Sequence, residues 1–178
     1  FVVGDGRAAA RFAAGGDILM VDWYPVPHLA LQSVGDHVRW TMEAAKGKPV
    51  WAVLQAFDWR WSAQRDPKKP RIGRFPTSAE IRFMSWLALA EGARGLWYFA
   101  YEPGNGIVLS ERTELWVQLT KVSRELAQFR PILEQGEDLG PTPGLPPGMR
   151  GRTWKKGRRL YHALMNTARE PLPLPARF

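Results

Sequence analysis

The sequence predicts an α/β fold built on parallel strands, followed by a small all-β module, and three observations carry this reading. Short apolar runs alternate with amphipathic helical stretches at similar spacing from residue 1 to about residue 133, the pattern of parallel strands joined by crossover helices. One of those runs, Pro49-Val50-Trp51-Ala52-Val53-Leu54-Gln55-Ala56-Phe57, is almost continuously apolar, as in a strand buried on both faces of a parallel sheet. Beyond residue 134 the alternation stops, and a Pro/Gly-rich stretch leads into a hairpin pattern.

Taken in order, Phe1-Val2-Val3 is the tail of a first strand. Arg7 to Ala14 is a short Ala-rich helix closed by Gly15 and Gly16. Asp17 to Tyr24 forms the second strand and stops at Pro25 and Pro27, which remove backbone donors and force a loop. Val34, Val38, Thr41, Met42 and Ala45 recur at helical spacing, so Ser33 to Ala45 is an amphipathic helix with Ser33 as its cap and Gly47 as its stop. The strand 49–57 follows. Asp58 to Pro76 is then too long for an ordinary βα loop, and its charge, Pro and Trp content suit a lid over a site.

Thr77-Ser78-Ala79-Glu80 is a capping-box signature that opens a helix carrying Ile81, Met84, Trp86, Leu87 and Leu89, with Gly92 as its end. Gly95 to Tyr101 is the fourth strand, closed by Glu102-Pro103-Gly104. Leu115, Leu119, Val122, Leu126 and Phe129 build a long helix expected to end before Pro131. Residues 135–151 read as a linker, and Trp154 to Asn166 as a hairpin turning at Gly157. The division expected is 1–134, 135–151 and 152–178, the last being the start of a β-sandwich-like module with too few strands to bury a core.

Composition narrows the function classes. With 178 residues, 45% hydrophobic and 24% charged, the chain is large enough to bury a core and is not of disordered type. No apolar run approaches the roughly 18 residues of a membrane span, so no membrane role is expected. The absence of cysteine excludes disulfides and thiolate chemistry and leaves the compartment undetermined. A net charge of +8 raises anionic partners, but the excess gathers in 60–74 and 150–159, which read as solvated loop and hairpin surface. Nucleic acid is therefore not expected as a partner. His28, His37 and His162 show no metal-ligand spacing, and Gly4-Asp5-Gly6 does not complete a phosphate fingerprint, so neither metal nor other cofactor is expected. The start on Phe1 in place of Met suggests a piece of a longer chain.

Four segments together carry a family resemblance: Asp-Ile-Leu-Met-Val-Asp-Trp-Tyr-Pro-Val-Pro (17–27), Lys-Pro-Val-Trp-Ala-Val-Leu-Gln-Ala-Phe (48–57), Arg-Phe-Pro-Thr-Ser-Ala-Glu-Ile-Arg-Phe-Met (74–84) and Gly-Ala-Arg-Gly-Leu-Trp-Tyr-Phe-Ala-Tyr (92–101). They resemble the sixth, seventh and eighth strands, with the helix between the last two, of (β/α)8 barrels in the glycoside hydrolase superfamily, specifically bacterial glycosidase-like barrels with a C-terminal β-sandwich. The resemblance covers about residues 1–133. It implies the C-terminal half of a (β/α)8 barrel, about four βα units, followed by a truncated all-β module. The missing N-terminal half of the same barrel is then a required partner, and an exposed inner face and open edges should drive self-association.

Barrel active sites lie at the C-terminal ends of the strands. The polar residues at those ends are Asp5, Asp22, Tyr24, Gln55, Asp58, Tyr101 and Glu102, with Trp59, Trp61 and Trp97 as aromatic neighbours. Carboxylates among aromatics suit sugars, whose CH faces stack on rings while their hydroxyls need hydrogen-bond partners. Asp22, Asp58 and Glu102 are the candidate catalytic carboxylates, and Tyr24, Gln55, Trp59, Trp61, Trp97 and Tyr101 the candidate substrate contacts. Each has a plain structural alternative. Asp22 before an aromatic and Pro can cap a turn, and Trp51, Trp86 and Trp97, inside apolar runs, suit a core.

In the retaining clan with this barrel the nucleophile is a Glu ending the seventh strand and the acid/base a Glu ending the fourth. Here the seventh-strand position holds Gln55, which cannot form a glycosyl ester, and the fourth strand is not in the chain. Three chemistries stay open: another carboxylate substitutes, an acetamido sugar acts as its own nucleophile with Gln55 orienting it, or the protein only binds glycans. The expected function is a glycoside-hydrolase-like protein acting on or binding carbohydrate, with a non-catalytic glycan-binding protein and a basic nucleic-acid-binding module as alternatives.

Overall fold

The structure, a computed structural model, describes residues 2–61, 72–100, 113–168 and 170–174, with Trp61 and Thr113 described by their backbone alone. It is a mixed α/β protein with a four-stranded parallel sheet and a separate three-stranded antiparallel sheet. The parallel sheet takes its strands in chain order: β1 (Val2–Val3), β2 (Leu19–Trp23), β3 (Val50–Gln55) and β4 (Gly95–Phe99). Helix α1 (Ser33–Ala45) connects β2 to β3, and α2 (Ser78–Ala90) connects β3 to β4. In place of the expected helix 7–14, the β1–β2 connection winds as two 3₁₀ turns, Gly6–Arg11 and Ala13–Gly15. The Asp5 side chain accepts from the Arg7 N–H and holds the first of them, while a stretch this short gains little from α-helical bonding.

Period-two alternation sorts the sheet residues onto two unlike faces. Val3, Leu19, Val21, Val50, Ala52 and Leu54 pack on Val34 and Val38 of α1 and on Met84 and Ala88 of α2, forming one buried cluster. Both helices therefore cover the same face. The opposite face carries, row by row in register, Val2, Met20, Trp51 and Gly95, then Asp22, Val53 and Trp97, then Gln55 and Phe99. Here Val2 and Trp97 are exposed, and Trp51 lies over Gly95, where a Cβ would come within 2.7 Å of the indole. β3 is thus buried on its helix side and only partly on the other, so its apolar run overstates its burial.

Local chemistry explains the helix boundaries. Thr77 and Glu80 form the reciprocal capping box at the start of α2, and α1 ends on left-handed Lys46 and Gly47. Gly35 is where α1 and α2 approach most tightly, because a Cβ there would lie 2.9 Å from the Leu87 Cγ and 2.8 Å from a guanidinium nitrogen of Arg150. The peptide bonds Val26–Pro27 and Phe99–Ala100 are cis.

Helix α3 (Thr113–Gln135) packs Leu115, Leu119 and Val122 against Ile81 and Ala56, and it runs through Pro131 instead of ending before it. Proline removes one intrahelical bond near the helix end. Lys156 adds pairing at the helix end, donating from Nζ to the Pro131 carbonyl and the Gln135 Oε1, each at 3.0 Å. The antiparallel sheet follows, made of β5 (Glu137–Pro141), β6 (Met149–Lys156) and β7 (Arg159–Asn166) in that order, with the β6–β7 turn at Gly157. β5 and the first residues of β6 lie inside the stretch 135–151 that composition marked as linker; strand pairing, with a register shift at Asp138 to Gly140, overrides the Pro/Gly content. Arg150 binds Asp36 of α1 at 2.7 Å and Glu91 at the end of α2 at 3.1 Å, and so ties this sheet to the helical layer.

Candidate functional site

The C-terminal ends of the parallel strands bring the Asp22 carboxylate to the same sheet end as a group of aromatic rings. Alternation turns Asp22 away from the helices, and its Oδ1 lies beside Gly4 beyond β1, at ordinary contact distance from where a Cβ there would sit. The Tyr24 hydroxyl lies near the Asp22 carboxylate and favours its ionised form. Burial pushes the Asp22 carboxyl up from its ordinary value, while the Tyr24 hydrogen bond pulls the other way. The Tyr24 phenol is pushed well up, first by burial and then by the adjacent carboxylate. This pairing of a partly buried acid with a neutral donor can hold a hydroxyl or an amine, and the acid can carry a proton closer to neutrality than a solvated aspartate does.

The rings come from three strand ends. Tyr24 stacks on Phe99 with centroids 5.7 Å apart and meets Phe57 edge-on at 5.0 Å and Trp59 at 6.2 Å. Phe57 in turn contacts Trp59 at 5.0 Å. One register row toward the N-terminal ends, Trp97 lies nearly parallel to Trp51, at 6.2 Å and 24°. Trp97 is 55% exposed, so the indole that suited a core instead presents its surface on the open face. Trp86, by contrast, is buried and donates its Nε1–H to Glu125.

Comparison of the chain with family models, curated proteins and solved structures returned no match. The geometry therefore bears on each expected site residue by itself.

Gln55 is buried, and its amide is occupied by the chain. Its Oε1 accepts from the Val26 N–H at 2.9 Å, and its Nε2 donates to the Val26 carbonyl at 2.8 Å and the Phe57 carbonyl at 3.1 Å. No amide donor is left for a sugar, so the polar residue in the apolar strand serves the loop after β2. Asp58 is buried as well, and it accepts from the Arg60 backbone N–H at Oδ1 and from two nitrogens of the Arg60 guanidinium at Oδ2. The backbone at Gly73 crosses directly above it, where a Cβ would clash with the carboxylate. This acid holds together the two ends of the connection after β3. Trp59 reaches the strand-end cluster, as expected of that connection; Trp61 continues the 3₁₀ turn Trp59–Trp61, its side chain outside the described set. Tyr101 and Glu102, and residues 62–71 of the expected lid, also lie outside the described residues.

Trp51, Phe57 and Phe99 were missed as site candidates. The signal for Phe99 was present: Gly95, Trp97 and Phe99 are two residues apart and must share a face. For Phe57 none existed, because an aromatic ending an apolar run reads as core.

Of the described residues in the basic stretches, Arg60, Arg74, Lys155, Arg158 and Arg159 are exposed, as expected of solvated surface, whereas Arg150 and Arg152 are not. Arg150 and Arg152 are largely buried in ion pairs, Arg152 with both oxygens of Asp138 at 2.8 Å, and Arg74 binds Glu80 at 2.7 Å. Clefts of about 310 and 300 Å³ lie between α2, α3 and the antiparallel sheet, away from the strand ends. Their arginines are matched by acids, Arg82 with Glu125, Arg152 with Asp138 and Arg130 with Glu134. Among the described residues no group of three or more metal-ligating side chains converges, and no helix is long and apolar enough to cross a membrane.

Proposed function

We propose that this chain is a glycoside-hydrolase-like α/β protein that acts on or binds carbohydrate at the C-terminal ends of its parallel strands, and that its sheet forms half of a (β/α)8 barrel. The observation that carries the reading is the Asp22–Tyr24 pair set among Trp97, Phe99 and Trp59 on the sheet face away from the helices. A sugar needs a polar edge contact and an apolar face contact at once, and this arrangement offers both. Four parallel strands in chain order, with α1 and α2 on one face, support the barrel element of the reading, since consecutive units of such a barrel are laid out in this way.

Glycoside hydrolysis ordinarily uses two carboxyl groups roughly 5 to 10 Å apart across the scissile bond. Of the candidate acids among the described residues, Asp58 is engaged by Arg60, whereas Asp22 has no arginine partner.

The test is titration of the protein with a panel of neutral, acetamido and amino oligosaccharides, followed by tryptophan fluorescence and by chromatography of the sugars. Saturable quenching that is weakened in Trp97→Ala supports a carbohydrate site on this face, and accumulation of shorter sugars adds hydrolysis. Absence of saturable binding across the whole panel overturns the reading.

A further inference from the structure

Asp22 differs from every other described carboxylate that is withdrawn from solvent. Asp5, Asp36, Asp58, Glu80, Glu91, Glu125 and Asp138 each face an arginine: Arg7, Arg150, Arg60, Arg74, Arg150, Arg82 and Arg152 in turn. The chain is rich in cations, with 25 Lys and Arg against 17 Asp and Glu, yet among the described residues none of them is paired with Asp22. Its polar neighbour is the Tyr24 hydroxyl, a neutral donor.

A partly desolvated acid without a positive partner is costly, and such acids are normally paired. The surroundings here are those that favour a cation. Trp97 sits in the same register row, two strands away, at a Cα separation of about 10 Å across Val53. Tyr24 and Phe99 form the next row toward the strand ends. The negative faces of aromatic rings attract ammonium groups, and a carboxylate beside them adds a charge-assisted hydrogen bond.

We infer that the ligand of this face is a cationic carbohydrate, an amino sugar whose protonated amine pairs with Asp22 while its ring stacks on Trp97. This rests on the carbohydrate reading above and narrows it to unacetylated amino sugars.

The test compares three tetrasaccharides at neutral pH by calorimetry: a β-1,4-glucosamine oligomer, its N-acetylated counterpart and the uncharged glucose oligomer. The amine-bearing sugar should bind at least about tenfold more tightly than the other two, and that preference should vanish in Asp22→Asn with the circular dichroism spectrum unchanged. Trp97→Ala, at an exposed position, should weaken all three and serves if Asp22→Asn fails to fold. Equal binding of the three sugars, or an amine preference that survives Asp22→Asn, overturns the inference and leaves the carbohydrate site standing. Binding of none of them by the wild-type protein overturns both.

Discussion

The side-chain amide of Gln55 pairs with both backbone polar groups of Val26, accepting from its N–H at 2.9 Å and donating to its carbonyl at 2.8 Å. A residue on β3 thereby fixes the loop that leaves β2, the same loop that begins with Tyr24. Because a third bond goes to the Phe57 carbonyl, one buried amide sets the positions of two strand ends.

Replacing Gln55 with Leu should be strongly destabilising, because it removes the partner of the buried Val26 N–H and carbonyl together with one bond to the Phe57 carbonyl. At roughly 1 to 3 kcal/mol for each unsatisfied group, partly relieved by relaxation, a loss of about 3 kcal/mol is expected. Urea unfolding monitored by fluorescence measures it, and a loss below about 1 kcal/mol would show that Gln55 does not hold the loop. Any fall in glycan affinity should track this loss of order, since the amide has no donor left to offer a sugar.

Asp22 should cost the fold stability at neutral pH. Its carboxyl titrates above its unfolded value because burial disfavours the charge, so the unfolded chain ionises more readily. The penalty is absent below the unfolded pKa, near 4, grows as pH rises toward the folded pKa, and is complete above it. Asp22→Asn should therefore raise the melting temperature at pH 7 and leave it unchanged at pH 3. A lower melting temperature at pH 7 would mean that an unseen cation pairs with Asp22.

His37 predicts the opposite edge of the pH profile. It is buried against Trp23, with ring centroids 3.5 Å apart, and its Nδ1 accepts from the Gly6 N–H at 3.0 Å, which only the neutral ring can do. Burial pushes its pKa down from 6.5, assisted by Arg7 and opposed by Asp5 and Asp36. The unfolded chain therefore takes up a proton first, and the contribution of His37 to stability is complete above about pH 6.5 and is lost as pH falls toward the folded pKa. His37→Phe should cost about 1 to 3 kcal/mol at pH 7 through the orphaned Gly6 N–H. It should also flatten the stability profile just below pH 6.5; an unchanged slope there would assign the effect to another group.

Arg150 should govern how firmly the antiparallel sheet holds to the helices. Its guanidinium lies between Asp36 and Glu91, and its side chain is 22% exposed. Arg150→Met keeps the length and loses both bonds, at a cost of about 2 kcal/mol. Hydrogen exchange should quicken in β6 and β7 before it does in β3. Uniform protection across both sheets would contradict that division.

What the sequence by itself determined is the part governed by short-range chemistry. The order of strands and helices follows from apolar spacing, the start of α2 from Thr77 and Glu80, the end of α1 from Gly47, and the β6–β7 turn from Gly157, because each depends on neighbours within a few positions. Asp22 and Tyr24 were legible as a pair for the same reason, since two residues apart on a strand means one face. Tertiary structure decided which polar residues are free to act. Gln55 and Asp58 share strand-end positions with Asp22 and are spent on Val26 and Arg60, and no local pattern records a partner 29 residues away or the close pass of Gly73 over Asp58. It also decided that α3 runs through Pro131, where Lys156 of β6 donates to the Pro131 carbonyl, and that Trp97 lies open, where α1 and α2 cover only one face of the sheet. The physical reason is that a buried polar group must be paired and a ring is covered only where another element packs on it, and apart from the local Asp58–Arg60 pair these partners and covers come, or fail to come, from elsewhere in the chain.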